Sequence, residues 1–435
     1  MIESKDLPKV LFVTSHAFNH TTGGGVTFSN LFSGWPKDHL ATVHNDPLPP
    51  ETDVCNHYFR LGPKELGKWG PFCLLQGAPQ NNNAFMKTRA GDTPVARSRP
   101  FAEVRSLLFG KNEFPETAIL SPELEAWIDD FAPKVLYTIL GSNGFMDLIE
   151  LIRVRFNLPL VVHIMDDWRT TSHTKGLLAP FRRKKMRRQL AHFMAIADHL
   201  MGISDSMCAA YGAEYDRIFK TFHNGIEANT ENARPTADKK PGEPFKIFYG
   251  GAVLPFAQLQ SIIDMCEAAA RLNDQGIPVS FDIFCPPAMT DPHREKLLTC
   301  DAVHLHPPLL RREDYLATLH NADLLLLPVN FSDETIKFIR YSMPTKVPEM
   351  MQSGVPVLVY GPAGVAQVDY AREHGWGYPV SERGVDNVVV AIKKLMTEAP
   401  LRQQLAAKAH QLAEGRHDIK TVRAQFRAAL TAAAS

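Results

Sequence analysis

The residues best suited to chemistry lie at positions 341–354, which read YSMPTKVPEMMQSG. Glu349 stands where a short helix should begin; Gly354 marks its end, and an apolar strand follows at 355–360, VPVLVY. A carboxylate in that position can accept from two adjacent hydroxyls of a ribose, because its two oxygens match the spacing of a diol. The same acid can equally serve as an ordinary helix-start charge. Lys346 and the amides around Thr345 lie just upstream, where a diphosphate attached to that ribose would sit.

Three other groups of residues invite a chemical reading. After the first apolar run come His16 and then Gly23, Gly24 and Gly25, with a helix expected from about Val26 or Thr27. A glycine-rich strand-to-helix turn lets backbone amides approach an anion, or is simply a flexible turn. It is neither GxGxxG nor a P-loop. His163 ends the run 160–164 (LVVHI), where it could bond a phosphate or a sugar hydroxyl, or be a core histidine bonded to a carbonyl. Asp166 and Asp167 follow it; adjacent acids can hold a divalent cation, but they more often cap the next helix. The third group is the run 182–188, RRKKMRR, beginning at Arg182. It is either a solvated helix face or a surface for anionic lipid or an anionic acceptor.

These residues need a frame to hold them. Short apolar runs at 10–15, 135–140, 160–164 and 199–203 alternate with helical periodicities, including 122–131 behind Ser121 and 185–197. Such runs suit parallel strands covered on both faces. Residues 228–244 (ANTENARPTADKKPGEP) are polar and proline-rich and read as a linker. Beyond them the alternation restarts with runs at 245–249, 279–284, 302–305, 324–328 and 355–360. Helical candidates at 260–272 and 314–321 lie between them. The pattern predicts two doubly wound α/β domains over 1–235 and 236–415, with the ligand in a cleft between them. A final helix over 416–435 should pack back on the first domain. Residues 61–115, with Gly-Pro pairs and three consecutive asparagines, read as an irregular insertion in that domain.

Bulk properties narrow the class. A chain of 435 residues is too long for one ordinary core. Its 47 basic and 47 acidic residues cancel, so the global charge offers nothing to nucleic acid. There is no apolar run long enough to span a bilayer, and the N-terminus reads as a first strand rather than a signal peptide. Six scattered cysteines without CxxC spacing suit a reducing compartment. A cytoplasmic protein is expected, with peripheral contact at the inner face of the membrane if the basic run binds lipid.

On these residues the chain resembles the retaining glycosyltransferases of family 4, which have the GT-B fold. The shared features are the glycine-rich first loop, the His after a middle strand, S-x-S at 204–206, N-G-I at 224–226, and a Glu five residues before a Gly. Members carry two glutamates separated by seven residues. Glu349 matches the second, which binds the nucleotide ribose, whereas the position of the first is occupied by Tyr341. The family's Arg and Lys after the first strand of the second domain are also missing, since that loop reads GGAVLPFAQLQ from Gly250 and Gly251 onward. The pattern S-x-P-x-K-x-x-E at 342–349 resembles a branch in which this replacement occurs.

The resemblance implies transfer of a sugar from a nucleotide-diphosphate sugar to a carbohydrate or glycolipid acceptor, with retention. The usual setting is polysaccharide, lipopolysaccharide or glycolipid synthesis. It implies donor contacts from Gly24, Gly25, Gly250, Gly251, Arg340, Tyr341, Ser342, Thr345, Lys346 and Glu349, and a nucleobase edge from His306 to Leu309. His163 and Lys346 would do the electrostatic work of catalysis. His16, Asn19 and Asp166 would face the acceptor. The scheme needs no cofactor and no dedicated metal. Two alternatives keep the fold: a nucleotide-sugar epimerase, and a non-catalytic protein that binds a nucleotide sugar.

Overall fold

Apolar runs flanked by helices give buried strands in two separate sheets. The computed structural model describes residues 7–19, 23–46, 49–68, 99–110, 116–227 and 243–435. They divide into two units, Met1–Phe222 with Arg423–Ser435, and His223–Val422. The proposed linker falls largely on 228–242, outside the described residues.

The first unit contains β1 (Val10–Thr14), β2 (Leu40–His44), β3 (His57–Arg60), β4 (Leu66–Lys68), β5 (Glu116–Ala118), β6 (Val135–Thr138), β7 (Leu160–Ile164), β8 (His199–Gly202) and β9 (Phe219–Thr221). Seven of these form one sheet in the order β3-β2-β1-β6-β7-β8-β9, every pair parallel. The chain winds outward from β1 on one side, then returns to β6 beside it and winds the other way. That reversal puts the switch point between β1 and β6, where doubly wound sheets open a crevice at their carboxyl ends. Phe12 on β1 packs in a ring cluster with Phe18, Phe28, Phe32 and Tyr137. From the helix Ile419–Ala433, Phe426 meets Phe32 and Tyr137 edge-on. In the same helix Arg423 and Arg427 donate to the carbonyls of Asn30 and Ser33.

The insertion is more regular than its composition suggests wherever it is described. β4 and β5 pair antiparallel across it, and Arg99–Phe109 is helical. Residues 69–98 and 111–115 lie outside the described residues.

The second unit contains β10 (Phe245–Gly250), β11 (Val279–Phe284), β12 (Val303–His306), β13 (Leu324–Pro328), β14 (Val357–Tyr360) and β15 (Tyr378–Val380). Their order is β12-β11-β10-β13-β14-β15, again all parallel. The switch point therefore falls between β10 and β13. The helix Leu259–Asp274 covers one face with an apolar stripe that includes Ile262, Cys266 and Ala269.

Candidate functional site

Because the strands of each sheet are parallel, all the loops that follow them emerge on the same edge. In the second unit, β10 ends in Tyr249-Gly250 and runs into Gly251. The ammonium of Lys346 donates to the Gly250 carbonyl at 3.2 Å and lies 4.4 Å from the centre of the Tyr249 ring. A Cβ on Gly251 would stand 2.9 Å from that ammonium, so the glycine is what lets the lysine approach the strand end. The Tyr249 hydroxyl is held on the Ala252 carbonyl at 2.5 Å. Lys346 is partly covered, and desolvation lowers its pKa to about 8, with the nearby Cys285 working in the opposite sense. No carboxylate ion-pairs with this ammonium among the described residues. A desolvated, positively charged group without a carboxylate is a natural anion site.

Lys346 immediately precedes the helix Val347–Gln352, with Pro348 in its first turn, and Glu349 occupies the third position. The Glu349 side chain keeps 22% of its surface and ion-pairs with Arg312, itself 59% exposed at the start of the helix Arg312–His320. Tyr315 on that helix has its phenol pKa raised by burial and then by the charge of Glu349. It stacks edge-on with Phe248 at 5.9 Å, and Phe248 meets Phe284 at 5.4 Å. Phe284 lies flat on His306 at 4.5 Å, and the His306 Nε2 meets Asp282 at 2.7 Å. An aromatic row thus runs from Tyr315 to His306 along the ends of β10, β11 and β12. Its ring faces and the Asp282–His306 pair can serve a planar heterocycle by stacking and hydrogen bonding.

Several residues singled out in the sequence lie together here. Gly250, Gly251, Lys346 and Glu349 gather at one sheet edge, with His306 at the far end of the aromatic row and Leu309 partly exposed beyond it. Thr345 is exposed beside Lys346, and the Ser342 amide donates to the Ile339 carbonyl at 3.0 Å. Arg340 follows the helix Asp333–Ile339; its guanidinium lies 5.5 Å from the Tyr341 ring and its carbonyl accepts from Ala366. Sequence reasoning missed Arg312, Tyr315, Tyr249 and Asp282. Only Arg312 left a signal, an Arg pair at a helix start just beyond the HPPL loop.

In the first unit the glycine run is placed differently from expectation. The helix begins at Gly23, not near Val26, so Gly24 and Gly25 form its first turn instead of a free loop. A Cβ on Gly25 would overlap the amide of Asn19, which is 3% exposed and donates to the Ala17 carbonyl. His16 lies beside Gly24, with its Nδ1 on the Ser15 hydroxyl at 2.9 Å. The Asp166 carboxyl is raised by desolvation, with His16 opposing that shift, although the residue still presents surface to solvent. His16, Gly24 and Asp166 therefore share one neighbourhood at the β1 end.

His163 is fully buried. Its Nδ1 meets the Tyr137 hydroxyl at 2.7 Å, its Nε2 has no partner, and desolvation lowers its pKa to about 3. The ring is thus neutral, and it can meet a bound sugar only if neighbouring side chains move. The core-histidine reading fits this geometry, with a tyrosine hydroxyl in place of the expected carbonyl. Asp167 sits at the cap position of the helix Trp168–Thr171, yet its carboxylate bonds side chains instead of amides. It receives Arg169 at 2.7 Å, the Tyr211 hydroxyl at 2.8 Å and the Thr170 hydroxyl at 2.8 Å. Among the described residues, no group of three or more His, Cys, Asp or Glu is placed to hold a metal ion.

No protein-family model matches this chain, and no curated protein matches it at a significant level. Solved structures do. HepE from Anabaena, in complex with UDP and glucose, aligns with a TM-score of 0.60 at 14% identity, covering 98% of this chain and 100% of that one. Sucrose-phosphate synthase from Thermosynechococcus elongatus aligns with a TM-score of 0.60 at 13% identity over 96% and 97% of the two chains. WaaG, a glycosyltransferase involved in lipopolysaccharide biosynthesis, gives 0.57 at 14% identity over 97% and 99%. At such identities the likeness establishes the fold. The chain has the GT-B architecture, α/β with a parallel sheet in each of two domains.

Proposed function

We propose that this protein is a glycosyltransferase that takes a nucleotide-diphosphate sugar as donor, with the nucleotide held by the second unit. The observation that carries the reading is the pairing of Lys346 on the end of β10 with Glu349 three residues later, beside the aromatic row ending at His306. In this reading Glu349 releases Arg312 and takes the ribose diol, Lys346 holds the diphosphate, and the row from Phe284 to His306 meets the base. The charge that grows on the departing diphosphate would be met by the ammonium of Lys346 and the adjacent amides, without a metal. The structural neighbours support the reading, since HepE carries UDP and WaaG is a glycosyltransferase.

Retention of configuration belongs to the same proposal, with the leaving phosphate helping to deprotonate the acceptor. The acceptor is read as a carbohydrate or glycolipid in polysaccharide, lipopolysaccharide or glycolipid synthesis. His16, Asn19 and Asp166 are its proposed station. The test is calorimetric titration with UDP, followed by product analysis with a panel of nucleotide sugars and acceptors. Glu349→Ala should weaken UDP by about tenfold or more, the scale of a charge-assisted hydrogen bond. Unchanged UDP affinity would remove the ribose assignment. Isomerised donor would make the protein an epimerase, and UDP binding without turnover under any pairing would make it a binding protein.

A further inference from the structure

The helix Ala179–Ile196 buries Met186, Leu190, Phe193 and Met194 against the first unit. At 100° per residue, the opposite crest carries Phe181, Lys184, Lys185 and Arg188. Phe181 is 74% exposed, and Leu177, one turn earlier, is 63% exposed. The turn that leads into this helix is tied to the helix Arg99–Phe109: the Leu177 amide donates to the Leu107 carbonyl at 2.9 Å, and the Leu178 amide to the Leu108 carbonyl at 2.8 Å. Leu107 is 60% exposed beside Leu177. Arg182 bends back, donating to the Phe109 carbonyl at 3.3 Å, and locks the two helices together.

Two joined segments therefore carry three large exposed apolar side chains, and Phe181 shares its helix crest with Lys184 and Arg188. Lys185 pairs with Asp147 at 2.6 Å, but no carboxylate among the described residues ion-pairs with Arg183, Lys184, Arg187 or Arg188. Exposed large apolar groups beside cations that have no ion pair among the described residues gain nothing for folding. The combination suits a surface that is apolar below and anionic above. The chain's 47 basic and 47 acidic residues cancel, so attraction to such a surface must come from this patch and not from overall charge. No helix among the described residues is long and apolar enough to cross a membrane.

We propose that Leu107, Leu177 and Phe181, with Lys184 and Arg188 on the same exposed crest as Phe181, dock the first unit on the headgroup layer of an anionic bilayer. The inference does not depend on the donor site. The full chain should co-sediment with phosphatidylcholine vesicles containing about 30% phosphatidylglycerol and release as salt is raised. Replacing Lys184 and Arg188 with Gln should lower the partition coefficient by about fivefold per cation removed. Phe181→Ser with Leu177→Ser should lower it by about tenfold. Two Gln replacements at exposed cations of the second unit, Arg271 and Arg372, change the net charge equally and should leave binding intact.

Because the patch residues are exposed, melting temperature should not move in either variant. Failure of the unmodified chain to bind anionic vesicles would overturn the proposal. So would equal loss in the second-unit control, or undiminished binding by the patch variants. Glu349→Ala should keep its vesicle binding, so the fate of the donor reading is read separately by UDP titration.

Discussion

The carboxyl edges of the two sheets are built to one plan and use their polar residues differently. At the first, the buried carboxylate of Asp167 takes Arg169, Tyr211 and Thr170, and the buried His163 meets Tyr137 through its Nδ1. At the second, Lys346 faces a carbonyl and a ring, and among the described residues the Glu349 carboxylate is held by an exposed arginine. Buried and reciprocally bonded groups cost little and do little, because their charges are already answered. A desolvated lysine without a carboxylate, and a carboxylate whose partner can swing away, are available to a ligand. The comparison sets the two edges apart: around Asp167 the first ties its own unit together, and the second is the edge we propose for the nucleotide.

The largest effect should come from Asp167→Ala, which leaves Arg169 and Tyr211 without their shared acceptor. We expect a loss of about 3–5 kcal/mol from the stability of the first unit in denaturant unfolding, with UDP affinity untouched. Lys346→Met should do the reverse. Its UDP affinity should fall by about fiftyfold, the scale of a hydrogen-bonded charge, while unfolding changes little because the desolvated ammonium is gone. If both substitutions moved both quantities, the division of duties would fail.

A smaller effect follows from pH. Lys346 has its pKa lowered to about 8, so the neutral form grows as pH rises through that value. The diphosphate requires the charged form; UDP affinity should therefore fall by about tenfold between about pH 7 and pH 9, and Lys346→Arg should abolish the dependence. Titration in a series of buffers measures it, and a flat profile in the unmodified chain would contradict the assignment. Smallest of all, Arg312→Gln should tighten UDP by no more than about fivefold, since an exposed ion pair that competes for Glu349 holds it weakly. A weaker UDP in that variant would make Arg312 a ligand contact instead of a competitor.

How much of this was legible depends on the range of the interaction. The helix Pro122–Phe131 and its Ser121 cap were readable because cap and amide are three residues apart, and the structure shows Ser121 accepting from the Leu124 amide at 3.1 Å. Strands β7 and β13 were readable as apolar runs because both their faces are covered. β3 was not, since HYFR lies on the sheet edge and stays partly exposed. β15 was not, since Pro379 sits inside it, which only an edge strand tolerates. The glycine run was misjudged because its composition argues for a loop, whereas packing against Asn19 makes Gly25 part of a helix turn.

The sequence alone determined the alternation that makes two parallel sheets, and it placed Lys346 and Glu349 three residues apart at a helix start. These depend on periodicity and on neighbours along the chain. Only the tertiary structure decided that Lys346 would meet Gly250, 96 positions away, that Glu349 would meet Arg312, 37 positions away, and that His163 would be sealed against Tyr137. Such meetings follow from the order of strands in a sheet, because parallel strands deliver distant loops to a common edge. No local pattern of residue types carries that order.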